Sequence, residues 1–207
     1  MLHDAALVGD VVALPALVLD YGVRHSKHSA MVLAAANGHV STLQKMVECG
    51  LNVDGYDVIM NFRRKWESRK VKKFHQKMDR DMSVYTNGWS PKISAFSAAV
   101  FYGQFDAMVT LLVNGADIDF DPYTLEDSQH DTVPTLNPVA WALLGRHWGI
   151  ADFLLDIGSS PPETTRNPLL QRLWDLNIKK RAVGQGSAIL ARCRMPPDVI
   201  KEISKFV

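Results

Sequence analysis

Short apolar runs of helical length recur along the chain in pairs, and a glycine separates the two runs of a pair. In the clearest copy, residues 30–36 are apolar and alanine-rich, Gly38 follows, a second run covers 40–49, and Gly50 closes the unit. Two short antiparallel helices joined by a glycine turn account for this pattern. Because one such pair cannot bury its apolar face alone, the pattern predicts a stack of pairs.

The pattern occurs four times. Its mid-repeat turns lie at Gly9, Gly38, Gly103 and Arg146, and each turn precedes a closing glycine by 13 residues in the first copy and 12 in the other three. A closing glycine suits the left-handed conformation that ends many helices. Arg146 stands where the other copies have glycine, so the sequence leaves the turn geometry of the fourth copy open.

These residues resemble the ankyrin repeat, whose pattern has paired alanines, a Gly-His turn, paired leucines and a closing Gly-Ala-Asp. The second and third copies carry the resemblance through Ala34-Ala35, Gly38-His39, Ala98-Ala99, Leu111-Leu112 and Gly115-Ala116-Asp117. The resemblance implies an all-α ankyrin-repeat solenoid of about four to five repeats. It also implies a non-enzymatic module that binds a protein partner through a concave face made by loop tips and first helices, aided by two insertions in the repeats.

The closing glycines locate two departures from the repeat. Steps of 28, 65 and 43 residues separate them, against a family period of about 33. The longest step holds a helical insertion over about 54–93, and the last holds an acidic loop over 117–134 with six carboxylates and neither Lys nor Arg. We assign 1–183 to the repeat domain, with a degenerate terminal repeat at 163–183, and 187–207 to a C-terminal helix.

The insertion has the pattern of an amphipathic helix with a basic face. Between Ile59 and Met82, apolar residues follow one helical stripe that includes Trp66 and Phe74. Seven cations on the other faces form a candidate basic surface: Arg63, Arg64, Lys65, Arg69, Lys70, Lys72 and Lys73. Three interpretations stay open: a helix docked on the stack with a solvated basic face, a helix that binds a partner, or a surface for nucleic acid or nuclear import.

The charge balance supports a local rather than a global basic surface. The chain has a formal net charge of +1, yet residues 63–80 hold nine Lys or Arg against two carboxylates, and the rest holds fourteen against twenty. Global basicity, which is typical of proteins that coat nucleic acid, is therefore excluded. The hydrophobic fraction of 47% is that of a globular protein.

Neither a membrane segment nor a disulfide framework is indicated. The longest apolar run, 11–19, has nine residues and is too short to span a bilayer. It contains Pro15 and follows Asp4 and Asp10 instead of a basic segment, so it does not resemble a signal peptide. Cys49 and Cys193 have no metal-ligand spacing. We therefore expect an intracellular protein of the cytoplasm or nucleus, with no membrane partner.

No motif for catalysis, a metal or a cofactor stands out, so we expect a protein that is not an enzyme. His39 and His147 stand where the ankyrin pattern places a turn histidine. Asp117, Asp119 and Asp121 imitate the start of a calcium loop, but Pro122 and Ser128 occupy positions that require Gly and Glu.

Large side chains near the expected loop tips are the candidates for partner binding, because aromatic residues are enriched in binding hot spots. They are Trp89, Phe101, Tyr102, His147 and Trp148, with Tyr123 in the acidic loop. Trp148 also occupies a position where the ankyrin family has an aliphatic packing residue, so a core role is the alternative for this side chain.

The C-terminal segment carries a second, short resemblance. Residues 195–203 resemble the opening helix of an F-box, as in the F-box-like ends of poxviral ankyrin proteins, and Ala188-Ile189 with Cys193 resemble part of a suppressor-of-cytokine-signalling box. These resemblances imply a substrate adaptor of a cullin-type ubiquitin ligase, recruited through a Skp-type or elongin partner. Pro197 departs from the suppressor-of-cytokine-signalling pattern, which has an aliphatic residue at this position. The alternative is a helix that caps the exposed end of the stack.

Overall fold

The computed structural model describes residues 2–20, 24–58, 68–83, 92–120, 136–163 and 168–182. In these ranges the elements, in chain order, are α1 (Leu2–Val8), α2 (Leu14–Asp20), α3 (Arg24–Ala36), α4 (Val40–Glu48), β1 (Tyr56–Val58), α5 (Arg69–Ser83), β2 (Lys92–Ser94), α6 (Ala95–Phe101), α7 (Phe105–Val113), α8 (Pro138–Leu144), α9 (Trp148–Asp156) and α10 (Pro168–Ala182).

Four helix pairs stack as the repeats predict. The first helices α1, α3, α6 and α8 pack in that order and α10 continues the row, while α2, α4 and α7 form a second row. The rings of Phe105 and Phe153, with centroids 5.3 Å apart, connect α7 to α9. In the described residues, the prediction of an all-α solenoid of stacked helix pairs with a helical insertion is confirmed.

Small residues on the first helices and larger ones on the second helices build the core. Alanines such as Ala34 and Ala99 are fully buried between neighbouring repeats, beside leucines such as Leu43 and Leu111. Side chains cap two of the first helices: the Ser94 hydroxyl accepts the Ser97 N–H at 3.0 Å and begins α6, and the Asn137 side chain accepts the Ala140 N–H at 2.9 Å and begins α8. Such caps satisfy backbone donors that a helix leaves unpaired.

The turn at Arg146 has the same geometry as the glycine turns. Arg146 adopts φ 62°, against 74° at Gly38 and 73° at Gly103. The N–H groups of Arg146 and His147 bond to the carbonyls of Leu143 and Ala142, as the equivalent groups do at the other turns. The question that the sequence left open is thus answered, since arginine takes the left-handed conformation here at a cost in free energy.

A two-stranded sheet brackets the inserted helix. Strands β1 and β2 pair antiparallel, with Tyr56 opposite Ser94 and Val58 opposite Lys92. The sequence did not predict these strands. Of the predicted basic helix between Ile59 and Met82, the part from Arg69 onward is confirmed as α5, and α10 lies within the predicted terminal repeat 163–183. Residues 59–67 of the insertion, 121–134 of the acidic loop and the C-terminal segment 187–207 lie outside the described residues.

Candidate interaction surface

The inserted helix α5 is docked on the stack by its apolar stripe. Val71 and Met78 have no exposed surface, and Phe74 is half-buried against the core. At the start of the helix, the Ser68 hydroxyl accepts the Val71 N–H and also hydrogen-bonds the carboxylate of Asp4 in α1. This end of α5 is therefore fixed to the first repeat, against which the helix packs.

Tyr102, at the end of α6, anchors the other half of α5 to the third repeat. Its ring lies 6.1 Å from that of Phe74, its hydroxyl donates to Asp81 at 3.4 Å, and the Lys77 ammonium lies 5.5 Å from the ring centroid. Burial, and then the Asp81 charge, raise the pKa of the Tyr102 phenol. The phenol therefore stays protonated and able to donate.

The inserted helix α5 contacts α1, and its Phe74 and Asp81 contact Tyr102 directly after α6. Since α3 packs between α1 and α6, these contacts place α5 along the first-helix side of the stack. The first helices themselves offer little surface. Residues 29–36 of α3, and all of α6 and α8, are buried. Among the described side chains of α3, α5 and α6, the exposed ones therefore belong to α5.

The outward face of α5 is basic. Its exposed residues include Arg69, Lys70, Lys73, Lys77 and Arg80, whereas Lys72 is half-buried. Among the described residues, no ion pair is seen between these five cations and a carboxylate; an ion pair is seen on α4, between Lys45 and Glu48 at 2.7 Å. Pairing of the five cations with the acidic loop, whose residues 121–134 lie outside the described ranges, stays a prediction.

A ladder of hydrogen bonds joins consecutive mid-repeat turns. Nε2 of His39 lies 2.9 Å from the Leu7 carbonyl, Nε2 of Gln104 donates to the Ala36 carbonyl at 3.3 Å, and the His147 ring bonds to the Phe101 carbonyl. Since a carbonyl only accepts, the ring nitrogen of His39 that faces it carries the hydrogen. Each acceptor lies two residues before the turn of the preceding repeat, so the three bonds are equivalent.

The ladder gives the turn histidines a structural role, as their positions predicted. Burial lowers the pKa of His147, partly opposed by its bond to Phe101. Gln104 replaces histidine in the third repeat, and sequence reasoning missed it. Aligning the residue after each turn would have found it, because Gln104 occupies the same position as His39 and His147.

The candidate partner residues are placed differently from one another. Phe101 is only 8% exposed, and its ring packs edge-on against Trp141 at 5.6 Å. Tyr102, His147 and Trp148 are half-buried, and the Lys180 ammonium covers the Trp148 ring at 4.1 Å. Trp89, Tyr123 and the basic cluster 63–65 lie outside the described residues. A contact role for all these residues stays a prediction.

Closing loops of neighbouring repeats are also connected. The Asp54 carboxylate accepts the Asp117 N–H at 2.9 Å, and Asp119 accepts from the hydroxyls of Ser159 and Ser160, both at 2.7 Å. Burial raises the pKa of Asp54; the N–H of Asp117 opposes this shift and the Asp117 charge adds to it. The described start of the acidic loop thus holds repeats together.

Within the described residues, no three or more His, Cys, Asp or Glu side chains come together to hold a metal ion. Among the described helices, none combines the length and the apolar character needed to cross a membrane. The arrangement offers charged and half-buried aromatic surface, which suits contact with a macromolecule.

Comparison with known proteins adds one structural likeness. No protein-family model matches the chain, and no curated protein matches it. Among solved structures, the chain is similar to the crystal structure of the human ASB11 ankyrin repeat domain, at 21% identity over 85% of this chain and 82% of that one, with a TM-score of 0.36. The F-box-like interpretation receives no support from these comparisons.

Proposed function

We propose that this protein is a non-enzymatic interaction module that binds a protein partner, and that α5 forms the partner surface over its first three repeats. The observation that carries the proposal is the docking of α5. The helix lies along the side where first helices would otherwise contact a partner, and it carries five exposed cations.

The repeat architecture supports a binding role for physical reasons. Stacked pairs joined by short turns give an extended, rigid surface, because each repeat contacts only its neighbours. The ladder at the mid-repeat turns and the Asp119 bonds to Ser159 and Ser160 hold adjacent repeats in register. A partner would therefore meet a preformed surface, which limits the entropy lost on binding.

Site-specific photo-crosslinking of the full chain tests this proposal. A benzophenone amino acid replaces either Lys73, exposed on α5, or Gln44, exposed on the second-row helix α4. Each variant is irradiated in a lysate of the organism that encodes the chain, and mass spectrometry identifies the adducts. We expect a defined protein adduct from position 73 that position 44 does not form.

Two results would contradict the proposal. Equal adduct patterns from positions 73 and 44 would mean that α5 is an ordinary solvated face. A turnover of small molecules by the purified chain, abolished by a point substitution, would replace the binding role by catalysis.

The ligase-adaptor alternative rests on the sequence of 187–207 alone. It requires that segment to recruit a Skp-type or elongin subunit. Co-purification of the full chain and of a chain ending at residue 186 separates the two roles. A Skp-type or elongin subunit that is lost with 187–207 supports an adaptor, whereas its absence from both samples favours a capping helix.

A further inference from the structure

From the outward face of α5 we infer the chemistry of the partner: an extended acidic peptide segment with carboxylates at alternate positions. This inference rests on the proposed function and names the ligand of the same surface. It depends on three features of α5, which are its fixed position, the spacing of its cations and the absence, among its described side chains, of an aromatic ring on the outward face.

The basic face is held in place from both ends. Ser68 bonds to Asp4 in the first repeat, and Asp81 accepts from Tyr102 in the third. Val71 and Met78 are fully buried between these points. On a helix, positions 69, 73 and 80 lie opposite Val71 and Met78 and so point away from the stack. The cations are therefore preorganised, and a ligand need not order this helix.

The cation spacing matches an extended chain. Arg69, Lys73 and Lys77 follow one another at four-residue intervals, which is a rise of about 6 Å per interval on an α-helix. Alternate residues of an extended strand point to the same side and are spaced about 6.6 Å apart. A segment of about seven residues with acidic side chains at every second position would thus place one carboxylate near each cation, including Arg80.

Nucleic acid fits this surface less well. Single-stranded nucleic acid is held by aromatic side chains on which bases stack, in addition to cations. The Phe74 ring of α5 lies against Tyr102 on the stack side. Carboxylates exceed cations in the rest of the chain, which disfavours a long polyanion. A short acidic peptide would contact the cations of α5 without extending over the rest of the chain, where carboxylates are in excess.

Titration of the full-length, nitrogen-15-labelled chain by NMR tests the inference. The probe is a capped seven-residue peptide with glutamate at its first, third, fifth and seventh positions and serine between them; the matched peptide has glutamine in place of glutamate. We expect saturable shifts of the α5 amides with the glutamate peptide, and no such shifts with the glutamine peptide.

Two double variants with the same change in charge locate the site. One is Arg69→Gln with Lys73→Gln on α5, and the other is Arg172→Gln with Lys179→Gln, exposed on α10. Since each exposed ion pair contributes little, we expect the α5 variant to bind the glutamate peptide about fivefold more weakly. The α10 variant should bind as the wild type does. Unchanged circular dichroism melting verifies that both variants are folded.

Three outcomes overturn the inference. They are the absence of saturable binding by the glutamate peptide, equal weakening by both double variants, and tighter binding of a single-stranded RNA oligomer through Arg69 and Lys73. The last would make α5 a nucleic-acid surface. Failure of this inference can be told apart from failure of the proposed function, because a protein adduct from position 73 would persist even if no acidic peptide bound.

Discussion

The hydrogen bond from His147 to the Phe101 carbonyl gives a direct test of the inter-repeat ladder. His147→Ala removes the bond, whereas His147→Gln introduces the side chain that makes the equivalent bond at Gln104, with 3.3 Å between Nε2 and the Ala36 carbonyl. A protein hydrogen bond contributes about 1 kcal/mol net to the free energy of unfolding. For a chain of this length, that loss lowers Tm by about 2–4 °C.

The pH dependence separates the histidine from its replacement. Burial lowers the pKa of His147 below its value in the unfolded chain. The favourable contribution of the neutral ring is therefore fully present above about pH 6.5 and is lost as pH falls through the folded pKa. We expect His147→Gln to equal the wild type at pH 8 and to exceed it at pH 5.5.

Thermal unfolding followed by circular dichroism at pH 8 and pH 5.5 measures both effects in the wild type and the two variants. The reasoning would be refuted if the glutamine and alanine variants lost the same stability at pH 8. It would also be refuted if the glutamine variant gained nothing relative to the wild type at pH 5.5.

Four further substitutions test the turns and the closing loops. Arg146→Gly should raise the free energy of unfolding by about 0.5–1 kcal/mol in denaturant titration, because it relieves the left-handed strain but adds freedom to the unfolded chain; Gly103→Ala should lower it. Asp54→Asn should raise Tm at pH 7, because burial disfavours the charged carboxylate and the amide oxygen still accepts the Asp117 N–H. The gain in Tm over the wild type should shrink as pH falls through the raised pKa of Asp54, because the wild-type carboxyl then becomes neutral. Asp119→Ala should cost about 1–3 kcal/mol in urea unfolding through its lost bonds to two serines.

For Arg146→Gly, Asp54→Asn and Asp119→Ala, the following results would contradict the reasoning. A destabilised Arg146→Gly chain would mean that the arginine side chain makes contacts outweighing its backbone strain. A pH-independent gain for Asp54→Asn would remove burial of the charge as its cause. An unchanged stability of Asp119→Ala would show that the closing loops do not connect the third and fourth repeats in solution.

The repeats could be predicted from the sequence because their signals are local. Each helix pair carries its own alanines, leucines and turn within about 25 residues, so the pattern survives even where Arg146 replaces glycine. The helix of the insertion was also predictable, since its apolar stripe repeats at helical spacing. Its observed burial at Val71 and Met78 follows directly from that stripe.

The parts that could not be predicted depend on contacts between distant residues. Strand β1 pairs with β2 across the whole insertion, and each strand has only three residues, too few for a periodic pattern. The anchoring of α5 by Tyr102 and Asp81 joins the end of a repeat helix to an inserted helix. Nothing in either local sequence indicates this bond, and so Tyr102 was predicted only as an aromatic side chain near a tip.

The docking of α5 on the first-helix side is the central claim, and contact between Phe74 and Tyr102 tests it most directly. Their ring centroids lie 6.1 Å apart, so nuclear Overhauser effects between the two rings are expected in the full-length chain. The Lys77 side chain should also show ring-current shifts from Tyr102. Observation of both effects supports the account. Absence of both, with free hydrogen exchange along α5, would show that the helix is not docked and would contradict it.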